Sequence, residues 1–192
     1  MSRPSTADDQ RARLRRLVEA GIALSSELSL DALLQHIVEA AAAITGARYA
    51  ALGVINPERT GLERFLTSGI DAETHAAIGE LPHGRGILGA LITDARALRL
   101  THIADDPRSV GLPPGHPPMK SFLGVPVLLR HVAYGNLYLS EKLDGGDFTD
   151  EDEELVRLLA AQAAAAIENA RLYESATRWS RQLESLNEVA NA

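Results

Sequence analysis

The chain has 192 residues, 45% of them hydrophobic, and a formal net charge of −7, a length that suits one domain with long helical extensions. The acidic balance argues against DNA or RNA as a partner, because polyanion binding rests on a basic surface. No apolar run reaches the roughly eighteen residues that span a bilayer and the first residues have no signal-peptide core, so a cytoplasmic protein with no membrane partner is expected. The sequence has no cysteine, which removes disulfides, thiolate nucleophiles, iron–sulfur clusters, zinc–cysteine sites and thioether-linked bilins; a metal would need His, Tyr, Met or carboxylate.

Residues 6–28 read as a helix with Leu14, Leu17, Gly21, Leu24 and Leu28 three and four apart, a narrow seam of the coiled-coil kind. Ser29 caps a second helix in which Leu30, Leu33, Leu34, Ile37, Val38, Ala41 and Ile44 form a broad apolar face, ended by Gly46. His36 falls between those positions and reads as a solvated surface residue. Residues 48–55 have the length and apolarity of a strand, turned by residues 56–61, and a second strand follows at about 62–68. Asp71 is placed to cap a short helix through Ile78, a further helix runs from Ile87 to Asp94, and Leu98–Ile103 reads as a third strand. Ala104 to Lys120 is irregular and holds five prolines; so long a loop in a small domain is usually functional or disordered.

Ser121–Leu129 and Val132–Ser140 then form an antiparallel hairpin turned at Arg130-His131. Strict alternation sets Val132, Tyr134, Asn136 and Tyr138 on one face and Ala133, Gly135, Leu137 and Leu139 on the other. Thr149 opens the last helix with an acidic first turn, Asp150 to Glu154, that suits the helix dipole. Ala165, Asn169, Leu172, Ala176, Trp179, Leu183, Leu186 and Ala190 continue it as a heptad seam. The expected fold class is α+β: five strands, mostly antiparallel, with helices at both ends of the chain. The expected divisions are a coiled-coil-like helix at 1–29, a domain at 30–176, and the start of a helical linker at 177–192 that leads to an output domain in a longer dimeric protein.

Gly84-Arg85-Gly86-Ile87-Leu88-Gly89 fits the dinucleotide fingerprint in spacing, but Glu80-Leu81-Pro82-His83 before it is no buried strand, so the glycines read as a turn into a helix. The acidic run 150–154 lacks the alternating ligands of a calcium loop. His116 stands between Pro113-Pro114 and Pro117-Pro118, which restrict its backbone. A stiff neutral imidazole is a good metal ligand, with Met119, Phe122 and Leu123 available to line an apolar slot; the alternative is a loop histidine that touches solvent or a carbonyl. Tyr138 either donates a hydrogen bond into a pocket or is a core tyrosine bonded to a backbone carbonyl. No Ser, Thr or Lys stands in a nucleophile constellation, so no enzyme is expected.

The stretch from about Leu30 to Tyr173 resembles a GAF domain, a small-molecule sensor fold, which implies a mostly antiparallel five- to six-stranded sheet with the terminal helices packed on one face and a ligand pocket on the other. Lys142, then Phe148 followed after three residues by Asp152-Glu153, looks like that family's Asn-Lys…Phe-x-x-x-Asp-Glu pattern, with Glu141 in place of the asparagine; the resemblance implies a Lys142–Asp152 pairing. Arg48 to Val54, Gly69-Ile70-Asp71, Leu88-Gly89, His116 to Val127 and Gly135 to Leu139 are similar to the first GAF domain of the dormancy-survival sensor histidine kinases, the DevS/DosT type. That likeness implies a b-type haem with His116 as proximal ligand to the iron and Tyr138 on the distal side. It also implies that Gly53 controls access to the haem. Met119 and Phe122 are the expected lining of the haem slot, and His83 and His102 are candidates for a second axial ligand.

The resulting expectation is the sensory domain of a two-component histidine kinase that senses O2, NO, CO or redox state. It would be a homodimer through its terminal helices, followed by a kinase module that serves a response regulator. The rival expectations are a GAF domain for another small molecule and a ligand-free dimerisation module. An enzymatic GAF domain of the free-methionine-sulfoxide-reductase kind would need cysteines.

Overall fold

The structure, a computed structural model, describes residues 30–71, 86–112 and 115–190. The expected helices at 6–28 and 71–78 therefore lie outside the described residues, Asp71 apart. Helix α1 spans Leu30–Thr45 and buries Leu34, Ile37, Val38, Ala41 and Ile44, the positions set by its three-and-four spacing. Thr45 turns its hydroxyl back to donate to the Ala41 carbonyl at 2.8 Å, and Gly46, at φ +70°, ends the helix in the left-handed region that glycine enters without a Cβ clash.

Strand β1 (Ala47–Ile55) starts at once after that glycine, and β2 (Leu62–Ser68) returns beside it. Helix α2 (Gly86–Asp94) and the short strand β3 (Leu98–Leu100) come next, then a single 3-10 turn at Ile103–Asp105. Strands β4 (Phe122–Leu129) and β5 (Val132–Lys142) form the expected hairpin, and helix α3 runs for 41 residues from Asp150 to Ala190. The five strands lie in the order β2-β1-β5-β4-β3, and every neighbouring pair is antiparallel. The α+β expectation holds with five strands. The third strand is shorter than expected: Ile103 leaves it to begin the 3-10 turn, where its amide donates to the Lys120 carbonyl at 2.8 Å.

Helices α1 and α3 cover one face of the sheet. Ala50, Leu52 and Val54 of β1, Leu123, Val125 and Val127 of β4 and Leu137 and Leu139 of β5 meet Leu34, Ile37, Val156, Leu159, Ala163 and Ile167 in one continuous core. Burying a Leu, Ile or Val of this kind stabilises the fold by about 1.5–3 kcal/mol each before the entropy of ordering is counted. The opposite face has a smaller cluster, Ile87 and Leu91 of α2 on Phe122, with Leu98, Leu100, Ile103 and Tyr138 against it.

Two local features of the hairpin depart from simple alternation. Its turn residues Arg130 and His131 both have positive φ, +49° and +68°, the backbone of a tight turn that normally selects Asn-Gly. The pairing also slips between Val127↔Gly135 and Leu128↔Ala133, leaving Tyr134 as an extra residue. That bulge reverses the face of Tyr134, which joins the helix-side core and lies under the Arg171 guanidinium, 5.6 Å from its ring centroid. The expectation that Tyr134 and Tyr138 share a face is thus corrected, because a bulge resets the period-two pattern.

Helix α3 begins with a reciprocal cap. The Asp152 amide donates to Thr149 Oγ1 at 3.2 Å, and the Thr149 amide donates to Asp152 Oδ2 at 2.8 Å, an Asp version of the capping box. Beyond the sheet the same helix exposes Leu172, Tyr173 and Trp179. Among the described residues no helix is long and apolar enough to cross a membrane.

Candidate functional site

The sheet face away from α1 and α3 is floored by small residues around one phenol. Tyr138 lies on the central strand β5, and its cross-strand neighbours are Ala51 and Gly124. In the next row Asn136 is flanked by Gly53 and Pro126. Large rings stand at the sides: the Phe65 and Phe122 centroids are 6.2 and 6.4 Å from that of Tyr138. Leu137 and Leu139, on the other face of the same strand, are 0% and 1% exposed, whereas Tyr138 keeps part of its surface accessible. A partly accessible ring over a floor of small residues leaves a shallow hollow on this face.

Burial nevertheless pushes the Tyr138 phenol well above its ordinary pKa, because the phenolate would sit in a poorly solvated place. The group therefore keeps its proton at neutral pH, and none of the described residues hydrogen-bonds to it. Asn136 is 4% exposed; its amide nitrogen reaches the Leu88 carbonyl of α2 at 3.5 Å, while Oδ1 is buried with no partner. An orphaned buried acceptor costs about 1–3 kcal/mol, so this amide is a polar group that the apolar surroundings leave unsatisfied. Its signal in the sequence was a lone Asn between strand aromatics.

Helix α2 closes one side of the hollow. A Cβ on Gly124 would come within 2.5 Å of Leu91 Cδ1 and 2.8 Å of Phe122 Cε1, so the glycine lets helix and ring settle onto β4. Gly53 belongs to the same floor, and a Cβ there would meet Leu62 Cδ2 at 3.2 Å and Phe65 at 3.8 Å. Sequence reasoning selected Gly53, Phe122 and Tyr138, which the fold brings to one surface. It missed Phe65, Leu91 and Asn136, which reach that surface only through sheet register and the docking of α2.

His116 lies half-buried in the loop before β4, and its Nδ1 is 2.9 Å from the Pro117 carbonyl oxygen. A carbonyl only accepts, so Nδ1 is the donor in this contact, and in the neutral imidazole Nε2 is then the nitrogen open to a metal. Met119 is half-buried in the same loop. No hydrogen bond or ring contact among the described residues joins either of them to Tyr138 or Phe122. The loop is tied down beyond them, where the Lys120 amide donates to the Glu141 carboxylate. Glu141 has φ +59°, in the left-handed region that Asn enters more readily than Glu. His102 is exposed, and His83 lies outside the described residues. Among the described residues no group of three or more His, Cys, Asp or Glu side chains could hold a metal ion.

The end of β5 also grips α3. Lys142 Nζ is 2.7 Å from Asp152 Oδ2, with side chains 9% and 0% exposed, and it lies 5.8 Å from the centroid of Phe148. The expected Lys142–Asp152 pair is present, and it joins the pocket strand to the cap of the long helix.

Solved structures with this fold serve varied chemistry. The GAF domain of a phosphoenolpyruvate-protein phosphotransferase from Coxiella burnetii superposes with a TM-score of 0.76 at 20% identity, over 89% of this chain and 99% of that one. A free methionine-R-sulfoxide reductase from Neisseria meningitidis matches with a TM-score of 0.69 at 15% identity, over 90% and 96%. The GAF domain of a proposed sensor histidine kinase from Pseudomonas syringae pv. tomato matches with a TM-score of 0.64 at 21% identity, over 90% and 96%. Likeness at these identities speaks for the fold and leaves the chemistry to the site. A family model for the GAF domain matches residues 27–168, and with the sheet order and helix placement above, the chain belongs to the GAF domain family.

Proposed function

We propose that this GAF domain is the sensory part of a two-component histidine kinase and that its signal is a small molecule taken up on the Tyr138 face. The observation that carries the reading is the Tyr138 phenol, without a hydrogen-bond partner among the described residues and partly accessible in a floor of Ala51, Gly124 and Gly53. An uncharged O–H donor in an apolar hollow suits a small acceptor such as a diatomic ligand.

The finer form of the proposal is a b-type haem, and the donor set fits one. His116 would hold the iron through Nε2, because its Nδ1 is committed to the Pro117 carbonyl, and haem needs only one such imidazole. Haem would supply the iron that takes up O2, NO or CO or changes redox state. Tyr138 would orient the incoming ligand through its O–H, and Phe65 and Phe122 would exclude water. Leu91 and Phe122 already fill the space over Gly124, so a macrocycle does not lie there while α2 keeps this position. The proposal includes a cytoplasmic homodimer: α3 turns Leu172 and Trp179 outward, 62% and 67% exposed, on the heptad seam that would pair with a second copy and lead to the kinase and its response regulator.

The packing of Ile87 and Leu91 on Phe122 favours a second reading, a ligand-free dimerisation module whose own side chains fill the hollow. Haem titration of the purified chain decides between them. A sharp Soret band that is lost in His116→Ala, and kept with altered ligand dissociation in Tyr138→Phe, is the expected result. Equal binding by wild type and His116→Ala refutes His116 as the ligand, and no binding by either leaves the second reading or a different small molecule.

A further inference from the structure

We infer that Arg99 is a positioning residue that couples the wall of the Tyr138 hollow to the first turns of α3. Strand β3 holds to the sheet edge by only three residue pairs, Leu98↔Gly124, Arg99↔Leu123 and Leu100↔Phe122. Alternation sends Leu98 and Leu100 into the cluster with Ile87, Leu91, Phe122 and Tyr138, while Arg99 points to the other face. There its Nη2 is 2.5 Å from Asp150 Oδ1, and Nη1 stands 4.0 Å from Glu153 Oε2. Thr101, just past the strand, donates to Asp147 at 3.1 Å. One short strand therefore touches the hollow with two side chains and the start of α3 with the residue between them.

The contact is built to move. Arg99 Nη1 is buried with no hydrogen-bond partner among the described residues, and the gap to Glu153 exceeds hydrogen-bond length by about 1 Å. A shift of β3 by about 1 Å toward α3 closes that gap to hydrogen-bond length. The Lys142–Asp152 pair, with side chains 9% and 0% exposed and its carboxylate bonded to Thr149, is the fixed point beside it. A ligand that presses on Leu98 or Leu100 displaces Arg99 with them, and the carboxylates of the first turn of α3 follow. This inference rests on the sensing role proposed for the Tyr138 face, but its test needs no ligand, so failure of haem binding and failure of the coupling are separate results.

The test is a double-mutant cycle read by amide hydrogen exchange in residues 153–157, with Leu100→Ala as the wall perturbation. Leu100→Ala in the wild-type background should speed exchange there by about five-fold, within the range measured for directly coupled residues. In an Arg99→Met background, which keeps the apolar stem, the same substitution should change it less than about two-fold, and Arg99→Lys should restore part of the effect. Circular dichroism checks folding of each variant, and Leu98→Val replaces Leu100→Ala if the latter unfolds. Additive effects, or unchanged exchange at 153–157 after the wall substitution, overturn the inference.

Discussion

Lys142→Met should destabilise the domain far more than the loss of one surface ion pair. The ammonium and the Asp152 carboxylate are 2.7 Å apart with side chains 9% and 0% exposed, so solvent screens neither. The substitution leaves the carboxylate buried with two hydrogen bonds from Thr149, at 2.8 and 3.0 Å, and without its cation. Removing one partner of such a pair costs about 3–5 kcal/mol. At about 2–4 °C per kcal/mol for a chain of this size, Tm should fall by about 6–20 °C. Asp152→Asn strands the lysine instead and should also lose stability. The double variant, which carries no buried charge and keeps an oxygen for the Thr149 amide, should recover more than half of the loss. Thermal and urea unfolding followed by circular dichroism measure all three, and 1 M salt should leave the effect in place because buried pairs are weakly screened. A Lys142→Met protein that melts within about 2 °C of wild type would refute the reasoning.

Replacing Arg130-His131 by Asn-Gly should stabilise the β4–β5 hairpin by about 1 kcal/mol, seen as a Tm rise of about 2–4 °C, because both positions have positive φ. Gly135→Ala should cost at least about 3 kcal/mol in urea unfolding, since its Cβ would fall 1.9 Å from the Gly53 carbonyl oxygen and force β1 away from β5. Burial raises the pKa of both Tyr138 and Tyr134, the latter also through Glu168. Below pH 10 both phenols are protonated in the folded and unfolded states, and above it only the unfolded chain ionises them readily. Stability should therefore fall as pH rises past about 10, less steeply in Tyr138→Phe; an identical profile in that variant would sink the assignment.

The sequence by itself determined the elements and their inward faces, for local reasons. The three-and-four spacing of α1, the apolar run of β1, the hairpin around Arg130-His131 and the acidic start of α3 are all short-range patterns, and burial follows them wherever period and secondary structure agree. The Lys142–Asp152 pair was legible through family likeness, because it joins a strand end to a helix cap ten residues on. What only the tertiary structure decided depends on register and on contacts between distant segments. A slip of one residue turned Tyr134 to the helix side, β3 ended early where Ile103 bonds to Lys120, and α2 settled on Gly124. The floor of the hollow, with Ala51 and Gly124 beside Tyr138 and Asn136 Oδ1 left without a partner among the described residues, exists only once three strands are aligned, since side chains far apart in sequence become neighbours through pairing that no local pattern encodes.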